Sequence, residues 1–194
     1  FTHFQGNGAS WTYARNGARL DINGKPDRTW NPEFNGTVID IDVDENETYY
    51  YAAGYFTRAH NRVVENAGRL STAAGAELDQ SWTFRHSYLI GKYQQTVTAA
   101  NGRVYFGGSQ HSLFGYNSDS MTRTSGSITM NNGGDLQAST RSATGVVYAS
   151  CHCSDFTFQD AYQYLTLGTT WTRADEIQWV GGWDEATGRQ LGWT

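Results

Sequence analysis

One pattern occurs three times along the chain, and it constrains the fold more than any other feature. The first copy reads Gly36-Thr37-Val38-Ile39-Asp40-Ile41-Asp42-Val43, a polar turn, then Tyr49-Tyr50-Tyr51-Ala52-Ala53-Gly54-Tyr55-Phe56-Thr57. The second reads Gln95-Thr96-Val97-Thr98-Ala99, a turn at Asn101-Gly102, then Arg103-Val104-Tyr105-Phe106-Gly107-Gly108. The third reads Gly134-Asp135-Leu136-Gln137-Ala138, a turn near Thr144-Gly145, then Val146-Val147-Tyr148-Ala149-Ser150-Cys151. Each is an alternating strand, a tight turn rich in Gly or Asn, and a second strand centred on Tyr, which is the signature of a β-hairpin. Self-similarity at this spacing points to a stack of repeated units.

A second echo follows each hairpin. Gly17-Ala18-Arg19-Leu20-Asp21 matches Ala67-Gly68-Arg69-Leu70-Ser71, and each is trailed by a Gly turn and a Trp, Trp30 and Trp82. Val180-Gly181-Gly182-Trp183-Asp184, Thr187-Gly188 and Trp193 repeat the theme. Two hairpins per unit give four strands, so the expected fold is all-β, a partial β-propeller with four-stranded antiparallel blades. Residues 1–34 read as the outer half of one blade, and 35–84, 85–130 and 131–194 as three blades, the last carrying an inserted loop at 154–175. Phe1-Thr2 aligns with Phe56-Thr57, so the chain is expected to start in mid-blade and to be a fragment of a larger propeller. No segment keeps the 3.6-residue apolar period of a helix.

Composition sets the limits on function. Of 194 residues, 22 are Gly and only 17% are charged, which suits short strands and tight turns. The net charge of −5 argues against a nucleic-acid scaffold, which needs a basic stripe to neutralise phosphates. No apolar run reaches the ~18 residues of a membrane-spanning helix.

The run "WNPEFNGTVIDIDVDENETYYYAAGYFT" resembles the delta-60-type repeat in its W-x-P, G-x-V and Y-x-x-G-x-F-T spacing. The stretch from "GRVYFGGSQHSLFGYN" through "GGDLQ", "VVYASCHCSDF" and "GGWDEATGR" resembles a variant module of that family. Such modules are similar to parts of secreted actinobacterial proteins and of minor tail proteins of actinobacteriophages. The resemblance implies a propeller scaffold placed extracellularly, on a cell surface or on a virion tail, and it brings no catalytic motif with it. The second blade departs from the pattern, with Gln110 where Phe-Thr would begin.

Few residues suggest chemistry. Cys151 and Cys153 point to one face of a strand and His152 to the other, which spoils a three-ligand metal site. The two cysteines read foremost as small buried side chains, with a Cys-x-Cys disulfide sterically possible. Asp40, Asp42, Asp44, Asn46 and Glu47 have the density of a calcium loop but lack the Gly of its sharp turn. The alternation with Ile39, Ile41 and Val43 predicts instead a strand whose acidic side faces solvent. No metal and no cofactor is expected. Asp135 and Asp155 are the carboxylates to inspect for a glycosidase pair.

The segment from Ser154 to Asp175 holds Phe156, Phe158, Tyr162, Tyr164 and Trp171, and is expected to be an aromatic loop. Loops after second strands and loops between blades share one face of a propeller. That topology is expected to gather Arg58, His60, His86, His111, Asp155, Tyr162, Trp171 and Arg173 on one rim. The expected function is a non-enzymatic recognition or structural module that binds a glycan or protein ligand on a cell surface, beside further blades or neighbouring subunits. The competing expectation is part of a secreted propeller enzyme such as a glycoside hydrolase.

Overall fold

In the computed structural model, residues 1–82, 84, 93–130, 134–161 and 171–192 are described, and every regular element among them is a strand. In chain order these are β1 (His3–Phe4), β2 (Thr12–Tyr13), β3 (Val38–Val43), β4 (Tyr49–Gly54), β5 (Arg58–Ala59), β6 (Arg62–Val63) and β7 (Ala67–Ser71). They continue as β8 (Gln94–Ala100), β9 (Arg103–Gly108), β10 (Ser112–Asn117), β11 (Arg123–Met130), β12 (Leu136–Arg141), β13 (Val146–Gln159) and β14 (Arg173–Asp184).

The strands form three blades, all antiparallel. The first is β3-β4-β7, the second β8-β9-β10-β11, the third β12-β13-β14. Among the described residues only the second has a full fourth strand; in the first and third that place holds a single bridge, Leu70 to Leu78 and Trp183 to Gln190. The innermost strands lie side by side, β8 against β3 on one flank and β12 on the other. That arrangement of radial sheets around adjoining inner strands is the β-propeller architecture.

The three inner hairpins superpose residue for residue. Tyr51 pairs with Asp42, Tyr105 with Thr98 and Tyr148 with Thr140, so the three tyrosines hold one position in successive blades. Each inner strand carries one extra residue at the same place: Ile39, Gln95 and Gln137 each bulge out of the ladder. Opposite the residue before the bulge the second strand carries glycine in the first two blades and Cys151 in the third, and in the first two the backbone leaves no room for a side chain. A Cβ on Gly108 would lie 2.6 Å from the Tyr93 carbonyl oxygen, and one on Gly54 would collide with the carbonyl of Thr37.

Three apolar clusters lie between blades. Tyr51, Ala53, Trp82, Val97, Val104 and Phe106 fill the joint of the first and second blades. Tyr105, Leu113, Leu136, Val147, Ala149 and Trp183 fill that of the second and third. Trp30, Phe34, Tyr50, Ala52 and Phe56 join the N-terminal residues to the first blade. Strand alternation explains this: Tyr50 and Ala52 face one neighbour while Tyr51 and Ala53 face the other.

Residues 1–34 reproduce the outer part of the first blade. The two-residue ladder β1–β2 corresponds to β5–β6, the N–H of Ala14 donates to Thr2 O as that of Val64 donates to Thr57 O, and Asn16 and Asn66 both take a left-handed φ. The Arg-Leu echo also has a physical meaning. Arg19 pairs with Asp27 at 2.7 Å and Arg69 with Asp79 at 2.5 Å, and each guanidinium also donates to a carbonyl in a turn of the next blade, Thr72 and Ser118.

Three expectations need correction. The segment 154–175 is not a loop where it is described. Phe156 and Phe158 alternate with Thr157 and Gln159 along β13, which pairs with β11 over Phe156–Gln159 and with β14 on its other side. The acidic side of β3 is not the solvated side: Asp40 and Asp42 turn toward β8, and Ile39, Ile41 and Val43 are the exposed residues. Finally, Cys151 and Cys153, both buried in the joint of the second and third blades, are disulfide-bonded. Trp193, the last tryptophan of the repeated theme, lies outside the described residues.

Candidate functional site

The bulges place a polar cluster at the end of the blades where the inner strands begin. The residue just before the bulge region is Thr37 in the first blade, Tyr93 in the second and Asp135 in the third. Its carbonyl accepts the N–H of Tyr55, Ser109 and His152, respectively, at 2.8, 3.2 and 3.0 Å. These six positions therefore form two aligned rows that cross the blade joints. At the first joint the rings of Tyr55 and Tyr93 stack at 4.5 Å between centroids with planes 29° apart. At the second joint Tyr93 Oη donates to Asp135 Oδ2 at 3.2 Å.

Asp135 is the centre of the cluster. Gln95 Nε2, the side chain of the second blade's bulge, donates to the same Oδ2 at 3.2 Å. His111 Nε2 lies 3.1 Å from Oδ1. The equivalent bulge residue of the third blade, Gln137, has its amide nitrogen 3.1 Å from His152 Nε2. Gly134 makes room for His111, since a Cβ there would lie 2.6 Å from Nδ1.

Electrostatics follow from that packing. Burial, and then the charge and hydrogen bond of Asp135, push the Tyr93 hydroxyl up to about 12, so it stays a donor. Burial lowers the His111 pKa, and the Asp135 carboxylate opposes the shift. Tyr55 is 53% exposed, so the outer face of the stacked pair is open to a ligand. A carboxylate, two amides, two imidazoles and an aromatic platform can bind a polyhydroxylated or peptidic surface.

Of the described residues among those expected on one rim, the structure brings only His111 into this cluster. Arg58 Nη1 donates to the carbonyl of Asn61 within its own turn. His60 turns outward: its ring nitrogen lies 3.0 Å from Ala76 O and its backbone N–H donates to Pro32 O. Asp155 lies in β13 opposite Ile177. Arg173 pairs with Asp175 at 2.7 Å. Trp171 packs edge-on to Phe158 of β13 at 5.3 Å. His86 and Tyr162 lie outside the described residues. The topological argument assumed that the chain after each second strand stays on the rim. In the third blade β13 instead arches over and descends along β11. Tyr55, Tyr93, Gln95, Gln137 and His152 were missed because their signal is the shared bulge, which shows only when the three inner strands are aligned with one residue unpaired. Among the described residues no group of three His, Cys, Asp or Glu is placed to hold a metal ion.

No known family profile matches the chain. No curated protein matches it either. Solved structures of similar shape include the computationally designed Ika8 protein, at TM-score 0.48 and 9% identity over 98% of this chain. They also include the WD40 β-propeller domain of Doa1 (TM-score 0.41, 10% identity, 81% of this chain) and BamB from Moraxella catarrhalis (0.39, 10%, 96%). The chain spans 60% of the Ika8 chain, 54% of the Doa1 chain and 73% of the BamB chain. The propeller assignment rests on the blade geometry above rather than on these distant likenesses.

Proposed function

We propose that this protein is a recognition module rather than an enzyme, and that it binds a glycan across the Tyr55–Tyr93 pair. The observation that carries the reading is that pair itself: an exposed ring held in a fixed plane by a second ring, next to the Asp135 carboxylate. Tyrosine offers a large, rigid stacking surface at small entropic cost, and sugar C–H faces stack on such rings while their hydroxyls bond carboxylates and amides. The net charge of −5 suits a neutral ligand better than a phosphorylated one. A protein ligand on a cell surface would use the same groups, and the resemblance to secreted and tail-associated modules is the ground for an extracellular or virion-surface setting.

The enzyme reading is less well supported by the geometry. Glycoside hydrolysis needs two carboxyl groups flanking one bond, with at least one free to protonate or attack. Asp135 already has three donors on its two oxygens.

The test is direct. Titration of a panel of neutral surface oligosaccharides by calorimetry is expected to give saturable binding. Tyr55→Ala is expected to abolish it without lowering Tm, because the residue is mostly exposed. A Tyr55→Ala variant that binds as tightly as the parent sinks the assignment, and binding of a protein ligand but no glycan would replace the ligand class.

A further inference from the structure

The three inner hairpins differ at one place. In the first and second blades the second strand ends at a glycine, Gly54 or Gly108. In the third blade the same register position is Cys151, opposite Leu136, and the strand does not end there. It runs on as β13 to Gln159 and adds to the outer strand of the second blade, β11, through Phe156–Gln159. Cys151, His152 and Cys153 make the crossing.

The ladder between β13 and β14 shows how. Ser150 pairs with Val180 and Ser154 with Gln178, so Cys151, His152 and Cys153 stand opposite Trp179 alone. Trp179 has a φ of 65°, a left-handed conformation that a bulky side chain seldom takes. A bulge leaves backbone unpaired and bends its strand. Here a disulfide joins the first and last residues of the bulge.

Loop size decides what such a crosslink does. Closing so short a loop removes little freedom from the unfolded chain, less than closing one of tens of residues. Its effect is therefore local, on the course of the residues it spans. Both sulfurs are buried, with Cys151 4% and Cys153 0% exposed, in the joint that also holds Leu136, Ile177 and Trp183.

Against this short ring lies Asp135, the centre of the polar cluster. The N–H of His152, between the two cysteines, donates to the Asp135 carbonyl at 3.0 Å. Leu136, the next residue, is fully buried in the same apolar cluster as both cysteines. On the other side Thr129 Oγ1 donates to Gly134 O at 2.7 Å. The main chain so fixed carries the carboxylate that accepts Tyr93 Oη and Gln95 Nε2 and faces His111 Nε2. Tyr93 is in turn the ring on which Tyr55 stacks. In the first two blades the matching carbonyl bond is made by the residue after the glycine, where the close approach of two backbones is met by having no side chain. In the third blade a side chain is present and is tied back to Cys153.

We infer that the Cys151–Cys153 disulfide is the positioning element of the glycan site: it sets the place of Asp135, and the chain binds in full only when the two sulfurs are joined. That competence rests on the Tyr55–Tyr93 pair being a glycan platform. The cysteines touch no ligand. They act through the His152 N–H and Leu136 on Asp135, and through Asp135 on the Tyr93 ring. Because the sulfurs are buried, their state is set while the chain folds, and a fold completed under reducing conditions carries two thiols and a loosened Asp135.

The experiment compares one sequence in two states. The protein is unfolded in urea and refolded either in dithiothreitol or in oxidised glutathione, and thiol titration verifies each state. Dithiothreitol gives two electrons to the S–S bond and a proton to each sulfur, and leaves as its cyclic disulfide. In the other buffer the two thiols lose two electrons and two protons to oxidised glutathione, which becomes two reduced glutathiones. Calorimetry with the neutral oligosaccharide panel is expected to show at least about tenfold weaker binding by the dithiol form. The His111 imidazole, followed by NMR without ligand, is expected to titrate at lower pH in that form, because the Asp135 carboxylate that opposes the effect of burial has moved. Unfolding and refolding in oxidised glutathione is expected to restore both. The double variant Cys151→Ala, Cys153→Ala is expected to behave as the dithiol form in either buffer.

A disulfide that only stabilised packing would lower the urea midpoint and leave affinity and the His111 titration unchanged, and that result overturns the proposal. So does an unchanged affinity beside a shifted His111, since Asp135 would then not serve binding. Failure of both the dithiol form and the double variant to give a cooperative urea transition would overturn it in favour of a role in folding. If the oxidised protein binds no glycan, the platform reading fails and the competence claim with it. The His111 comparison then still decides whether the disulfide positions Asp135, and equal titrations refute it.

Discussion

The Asp40 carboxylate accepts the backbone N–H of Val97 at 2.9 Å, across two inner strands that belong to different sheets. Its other oxygen accepts the N–H of Ile41 at 2.9 Å. Asp42 does the same for Ala99 and Val43. The innermost edge of a sheet would otherwise present unpaired amides. Here one carboxylate closes two edges at once.

Replacing Asp40 with Val should therefore destabilise the fold although the residue is only half-buried. Loss of the acceptor leaves the Val97 amide unsatisfied, at a cost of about 1–3 kcal/mol. The shift of the urea midpoint measures it, and Asp40→Asn, which keeps one acceptor oxygen, is expected to recover part of the loss.

Trp82→Ala should be the more damaging change. Trp82 is 4% exposed and lies between Tyr51 at 5.4 Å and Phe106 at 5.8 Å, in the joint of the first two blades. Removing it opens a cavity that neither blade can fill, and a loss of about 3–5 kcal/mol is expected in chemical denaturation. A loss under about 1 kcal/mol would mean that the joint is not held by this cluster.

Acid should loosen the Arg–Asp clamps. Hydrogen bonds from Thr29 and Arg19 lower Asp27 to about 2. Asp79 is also lowered, because bonds from Ser81 and Arg69 outweigh a burial effect of opposite sign. A carboxyl group whose folded pKa lies below its unfolded value of about 3.9 stabilises the fold above that value. The contribution is lost as pH falls from about 5 toward about 2. In Asp27→Asn the stability–pH curve is expected to be flatter over that window, as read from urea midpoints.

Asp135→Asn should lower the His111 pKa further, because burial depresses it and the carboxylate is what holds it up. The imidazole shifts followed by NMR between pH 4 and 8 report it. A rise in pKa would show that His111 and Asp135 are not coupled.

How much could be read in advance depended on period. The hairpins, the tyrosine equivalence and the Arg-Leu echo are carried by alternation and by Gly or Asn turns, which act locally. The direction in which β3 faces is not local. Asp40, Asp42, Ile39, Ile41 and Val43 alternate perfectly, and alternation says that two faces differ without saying which is buried. The neighbouring strand decides that by offering amides at Val97 and Ala99. The polar cluster around Asp135 was hidden for a related reason. His111 and Asp135 stood out by residue type. Gln95 and Gln137 acquire their shared orientation from a one-residue bulge, and a bulge breaks the alternation by which strands are recognised.

The Asp40 and Asp42 joints have a consequence for how such a chain can change. Both aspartates grip peptide amides, which every residue but proline carries. The amide contacts are thus indifferent to which side chains stand at 97 and 99, while Asp40 also accepts the Thr96 hydroxyl at 2.9 Å and Val97 fills the blade joint. A seam held in part by main-chain amides tolerates change at the residues that supply only those amides. Proline at position 97 or 99, which removes an amide that Asp40 or Asp42 grips, should on this ground prevent folding, as read by loss of a cooperative denaturation transition.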